Sequence, residues 1–210
     1  IAAGTYATAF SNSRAGSTAT FAAAINNNTS SYGPTNQYSI AIGRQARTTG
    51  NHASTVGGYN NTATATYSSV AGGSNNSAMG QNSFVTGATN AARGMYSSII
   101  GGESNDTQTT AKYSVASGQY ANAKIIGQKV HASGQFSTDG DAQGSTFILR
   151  ADTTDATATV LTANNSAAST DNQIVADSDT CITFDGTITA MQNGAQAYAS
   201  WKIEGLLVND

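Results

Sequence analysis

The chain has 210 residues, a formal net charge of −3 and only 10% charged side chains. Leu, Ile, Val and Phe account for just 31 of the 210 residues, a poverty shared with disordered chains, but those also carry high net charge and this one does not. Its basic residues are neither clustered nor interleaved with aromatics, it has one cysteine (Cys181), and no apolar run approaches the length of a membrane helix. These features argue against nucleic-acid binding, an intrachain disulfide and membrane insertion.

Charge divides the chain. Residues 1–136 hold seven basic and two acidic side chains, and residues 137–210 hold two basic and ten acidic ones. Two regions with different surfaces are expected, 1–138 and 139–210. The chain starts at Ile1 rather than Met, as a fragment or processed segment would.

From the N-terminus, Thr5–Phe10 and Thr20–Ile25 are two weak copies of one phrase, with alanine at its anchor position. The phrase then sharpens: Ser39-Ile40-Ala41-Ile42-Gly43, Ser54-Thr55-Val56-Gly57-Gly58, Ser69-Val70-Ala71-Gly72-Gly73 and Ser83-Phe84-Val85-Thr86-Gly87. Ser98-Ile99-Ile100-Gly101-Gly102, Ser114-Val115-Ala116-Ser117-Gly118 and a looser Val130-His131-Ala132-Ser133-Gly134 follow. The closing glycines are Gly43, Gly58, Gly73, Gly87, Gly102, Gly118 and Gly134. They recur about every 15 residues, a period too short for helical or leucine-rich repeats. It fits one turn of a narrow parallel β-solenoid, with β-branched residues in strands and glycine at a corner that needs positive φ. Asn60-Asn61, Asn75-Asn76, Asn90, Asn105 and Asn122 follow the glycines, where asparagine suits turns and stacked ladders.

A thin coil with two or three sizeable apolar side chains, each worth roughly 1.5–3 kcal/mol when buried, struggles against about 1–2 kcal/mol of backbone entropy per ordered residue. Identical chains sharing an interior would remove the deficit, and three around one axis is the expected arrangement. Ile40, Val56, Val70, Val85, Ile99, Val115 and Val130 are the residues expected at that shared core.

The Ser-Val-Ala-x-Gly phrase, over roughly residues 1–136, resembles the head repeats of trimeric autotransporter adhesins, which form a left-handed parallel β-roll. Similar repeats occur in bacteriophage tail fibres. The resemblance implies a homotrimer with Ile or Val at its core and glycine at the corner, attaching to a host-surface glycan or protein. The residue before the glycine varies, so irregularities are expected near 26–37 and 103–113. Neither stalk heptads nor barrel strands appear, which favours a virion fibre, bound to other virion or tail proteins, over its alternative, the head of a bacterial surface adhesin.

Beyond Asp139 the phrase is lost. Residues 145–150, 158–162, 172–176, 181–184, 187–191 and 198–203 read as strands, with a hairpin turn at Asp185-Gly186. A compact antiparallel domain of about 70 residues is expected. The run Phe147–Thr157 is similar to end domains of tail fibres from marine and cyanobacterial phages.

No cofactor, metal or catalytic residue is expected. His52 and His131 fall at repeat positions and read as surface or ladder residues. Asp139-Gly140-Asp141 and Asp177-Ser178-Asp179 lack the spacing of a calcium loop and read as solvated turns. The recurrent tyrosines, Tyr32, Tyr59, Tyr67, Tyr96, Tyr113 and Tyr120, have the flat, polar-tipped shape that suits sugars, though packing explains many of them. Thr62, Thr64 and Thr66 start an ice-binding type of ladder, which fails in the next coil at Ser77, Met79 and Gln81.

Overall fold

The computed structural model describes residues 1–10, 13–24, 31–194 and 196–209, and contains strands and turns but no helix. Its first strands are β1 (Thr8–Ala9), β2 (Phe21–Ala23), β3 (Gly33–Pro34), β4 (Ile40–Arg44), β5 (Arg47–Thr48) and β6 (Ser54–Tyr59). They continue with β7 (Thr62–Ala63), β8 (Ser69–Val70), β9 (Ser77–Ala78), β10 (Phe84–Ala88), β11 (Ala91–Ala92) and β12 (Ser98–Glu103). The series ends with β13 (Asp106–Thr107), β14 (Val115–Gln119), β15 (Asn122–Ala123), β16 (Lys129–Ser133), β17 (Gln143–Thr146), β18 (Thr180–Met191) and β19 (Tyr198–Asn209).

Residues 1–173 form one compact unit. In it, β1, β2 and the even-numbered strands from β4 to β16 stack in parallel as one sheet, and the odd-numbered strands from β3 to β15 stack as a second. This is a parallel β-solenoid of about eight turns with a spacing near 15 residues. Ser54 pairs with Ser69 and Thr62 with Ser77, each one coil on. The weak first copies also belong to it, in a shorter register: Thr8 pairs with Phe21 rather than with Ala23. Part of the irregularity expected at 26–37 lies outside the described residues. Elsewhere, register shifts fall at the glycine corners, between Ile42 and Arg44, Thr86 and Ala88, and Ile99 and Glu103.

The interior is made within one chain, from small side chains. The first sheet points Ala22, Ala41, Thr55, Val70, Val85, Ile99, Ala116 and Val130 inward, in register. The second sheet faces them with Thr48, Ala63, Ala78, Ala92, Thr107 and Ala123. Alanine loses no side-chain entropy on burial, and a column of it lets the sheets approach closely enough to leave little space. One chain thus encloses a narrow interior of its own, built from small side chains. Its polar members are paired: Thr48 Oγ1 donates to Thr55 Oγ1 at 2.9 Å, and Ser97 and Thr107 share a 2.7 Å bond.

The expected core positions divide in two. Val70, Val85, Ile99 and Val130 are buried inside the single chain, whereas Ile40, Val56 and Val115 point outward. Alternation is the cause. Counting back from the closing glycine, the inward residue lies two positions earlier in some coils (Ala41, Val85, Ala116) and three in the Gly-Gly coils (Thr55, Val70, Ile99). A one-residue slip turns a side chain to the other face.

All seven closing glycines have positive φ, between 83° and 155°. Gly73 shows why: a Cβ there would lie 1.8 Å from the carbonyl oxygen of Gly87 in the next coil. Beside this corner runs a buried asparagine ladder. The Asn76 N–H donates to Asn61 Oδ1 (3.0 Å), Asn90 N–H to Asn76 Oδ1 (3.1 Å) and Asn105 N–H to Asn90 Oδ1 (2.8 Å). Ala121 N–H closes the series on Asn105 Oδ1 at 2.9 Å. Each Nδ2 donates in turn to the carbonyls that the glycines leave exposed, as Asn76 does to Gly72 and Gly87.

The roll extends past 138. Strand β17 adds to β16 in antiparallel sense, and Asp171 O accepts from Ile126 N at 3.0 Å. Such a cap covers the open end of a stacked coil, as solenoids require. The division between units falls at 173/174 instead of 138/139. Residues 158–162 and 172–176 are not strands; an Arg150–Thr162 bridge stands in the first region.

The second unit, 174–210, contains a two-stranded antiparallel sheet of β18 and β19. The hairpin turn expected at Asp185-Gly186 does not form. Both residues lie inside the 12-residue strand β18, paired with Glu204 and Ile203, and the pairing runs on to Met191 opposite Tyr198.

Candidate assembly and binding surfaces

Alternation that sends Val70 and Ile99 inward sends their neighbours out. On the outer face of the first sheet, one column runs Phe21, Ile40, Ser54, Ser69, Phe84, Ser98, Val115. The column beside it includes Ala23, Ile42, Val56, Thr86, Ile100 and Ser117. No charge interrupts either until Lys129 and His131 at the end. Ile40 is 39% exposed, Val56 44%, Phe84 36% and Ile100 60%. The second sheet turns a different face outward, with Arg47, Thr62, Ser77, Ala91, Asp106 and Asn122. There Asp106 pairs with Arg93. One flank is uncharged and mixes apolar side chains with Ser and Thr, and the other carries charge.

A third surface follows a corner. Tyr38, His52, Tyr67, Asn82, Tyr96 and Tyr113 occupy the same place in successive coils, each N–H bonded to a carbonyl one coil back, and all have φ between 56° and 60°. A non-glycine residue in this conformation costs about 1–2 kcal/mol. Stacking offsets it, since parallel strands set the rings at the spacing that stacked rings favour. Centroids are 4.9 Å apart for Tyr38–His52, 5.0 Å for His52–Tyr67 and 5.2 Å for Tyr96–Tyr113, with planes within 21°. Asn82 interrupts the stack. The stacks take both faces of His52, while Tyr38, Tyr67, Tyr96 and Tyr113 each stack on one ring and stay about half exposed.

Of the tyrosines singled out in the sequence, Tyr67, Tyr96 and Tyr113 join this ladder. Tyr59 stacks under Arg44, Tyr32 packs on the N-terminal alanine cluster, and Tyr120 has left-handed φ at a different corner. Tyr38 was missed, while His52 is a ladder residue. The signal that would have found Tyr38 is position: each ladder residue immediately precedes a buried Ser or Ala, such as Ser39, Ala53, Ser68 and Ser97. His131 shares a 3.0 Å bond with Ser117 across coils.

Two shallow clefts are among those formed by the described residues. One, about 400 Å³, is lined by residues of 151–168 including Asp152, Val160 and Asn165. The other, about 440 Å³, lies where Ile100, Val115 and His131 meet β17. Within the Asp139-Gly140-Asp141 pair, Asp141 holds a turn. Asp141 accepts backbone N–H bonds from Thr138, Ser137 and Phe136, in that order of effect, and these lower its pKa to about 2. Asp155 is lowered by the Thr157 N–H. Among the described residues, no three His, Cys, Asp or Glu side chains converge as metal ligands, and no helix is long and apolar enough to cross a membrane. No protein-family model, curated protein or solved structure matches the chain.

Proposed function

We propose that this chain is a non-enzymatic, structural and receptor-binding segment of a homotrimeric viral tail or virion fibre. One observation carries the reading: the uncharged apolar face along the first sheet of the roll. A rod with such a face stays dispersed when the face is covered, and cyclic symmetry about a shared axis covers it in every copy at once. The residues at that axis are the outward Phe21, Ile40, Val56, Phe84, Ile100 and Val115, and not Val70 or Ile99. The polar second sheet and the aromatic corner stay free to meet a host-cell glycan or protein, and three parallel copies multiply weak contacts by avidity. Other virion or tail proteins hold the ends. The resemblance of the repeats to tail fibres favours the virion; a bacterial adhesin head would share the trimer and differ in carrying a stalk and a membrane barrel downstream. Asp141 and Asp155, the carboxylates with shifted acidity, hold backbone turns, which supports a structural duty over catalysis.

Sedimentation equilibrium should return three times the chain mass of 21.3 kDa. Labelled protein should adsorb to host cells and compete with the virion for them. A single-chain species that is well folded and stable on dilution overturns the assembly. New reducing ends released from host polysaccharide overturn the non-enzymatic part.

A further inference from the structure

Strands β18 and β19 pair in register over their full lengths, from Thr180 opposite Asn209 to Met191 opposite Tyr198. Directly opposed residues of an antiparallel pair share a face, and successive pairs alternate. One face therefore carries Thr180/Asn209 at its end and then Ile182/Leu207, Phe184/Gly205, Gly186/Ile203, Ile188/Trp201 and Ala190/Ala199, these last five pairs all apolar. The other carries Thr183/Leu206, Asp185/Glu204, Thr187/Lys202 and Thr189/Ser200 across its middle, with Cys181/Val208 and Met191/Tyr198 at its two ends. Lys202 lies 3.6 Å from Glu204 and offsets the like charge opposite it.

This amphipathic ribbon is open to solvent. Trp201 is 52% exposed, Phe184 41%, Ile203 39% and Leu207 38%. The apolar face is nonetheless shaped, because the Phe184 ring lies across the strand and fills the space where a Gly205 Cβ would stand, 2.8 Å from it. A two-stranded ribbon by itself is marginally stable in water, and nothing charged on this face attracts a polar partner.

Size indicates what covers it. Strands of this length, at about 3.4 Å per residue and about 4.8 Å apart, give roughly 400 Å². A free partner held by a stable interface takes about 800 Å² per side, so the face is too small to retain one from solution. It is large enough for a surface delivered at an effective concentration near the millimolar range. Chains joined along their rolls deliver that surface, each bringing an identical apolar ribbon.

We propose that residues 180–209 form an inter-chain clamp in which the apolar faces of sister ribbons pack on one another around the assembly axis. Both the number of copies and the delivery of the ribbons to one another rest on the trimer reading. Trp201 is the only tryptophan, so its fluorescence reports this face alone. The intact protein should show blue-shifted emission and acrylamide quenching severalfold slower than free tryptophan amide. Ile188→Glu should shift emission to the red and restore fast quenching, while the mass stays at three chains through the roll. Ala199→Cys in a Cys181→Ser background should give disulfide-linked chain pairs under mild oxidation.

A three-chain species whose Trp201 is quenched as fast as the free amide overturns the clamp and leaves the trimer standing. A one-chain species with accessible Trp201 overturns both. Shielded Trp201 without chain-to-chain disulfides means that something other than a sister ribbon covers the face, and that also overturns the clamp.

Discussion

Replacing Asn76 with alanine tests whether the buried asparagine ladder holds the coils in register. The side chain makes three bonds: its Oδ1 accepts from Asn90 N–H, and its Nδ2 donates to Gly72 O and Gly87 O. Gly87 O keeps a second donor, the Ser74 N–H at 3.0 Å. The Asn90 N–H, buried in the next coil, loses the acceptor it uses. A buried donor left without a partner costs about 1–3 kcal/mol, and each lost bond adds about 0.5–1.5 kcal/mol. The substitution should therefore destabilise the roll by about 3 kcal/mol. Denaturant unfolding at one fixed protein concentration measures it, because assembly makes stability concentration-dependent. Amide exchange should accelerate most at Asn90 and along β10 and β11. Asn60→Ala is the matched control. Its Nδ2 reaches Asn75 Oδ1 at 2.9 Å on the exposed side of the same corner, and its loss, with the left-handed φ of 52° that alanine tolerates less well, should cost about 1 kcal/mol. If Asn76→Ala costs no more than Asn60→Ala, the ladder is decoration and register is set by the backbone alone.

Val70→Asp and Ile100→Asp should part company. The first puts an unpaired charge inside one chain and should abolish folding of the roll by circular dichroism, whereas the second should leave strand content intact and reduce the sedimenting mass to one chain. Equal behaviour of the two would mean that the inward and outward columns are misassigned. Gly73→Ala should lower the thermal midpoint by several degrees or prevent folding, because both its φ of 91° and the Gly87 carbonyl oppose a Cβ; a neutral result in calorimetry refutes the close approach. Asp141 has a folded pKa of about 2 against an ordinary 3.8, so its turn is favoured above the ordinary value and loses that support as pH falls through about 2. The Thr138 amide resonance should titrate near pH 2, and Asp141→Asn should remove that titration; a midpoint near 3.8 would mean that the three N–H bonds are not made in solution.

The sequence by itself determined the repeat, the length of each coil, the parallel β character and the glycine corners. Each is a local steric matter: glycine goes where φ is positive, and β-branched residues go where the chain is extended. Asn61, Asn76, Asn90 and Asn105 were also visible as a recurrent set suited to a stacked ladder, though not that they are buried. The tertiary structure alone decided which residues face inward. Counting from Gly58 put Val56 and Val70 in one set, but the extra glycine shifts the phrase by one residue, so Thr55 and Val70 take the chain's own interior and Val56 its outer face. Asp185-Gly186 shows the same limit in the second unit. The dipeptide is a good turn locally, yet the run of cross-strand pairs outweighs one preferred turn and carries β18 straight through it. Strand pairing is decided by contacts far apart in the chain, and no short window of residues contains them.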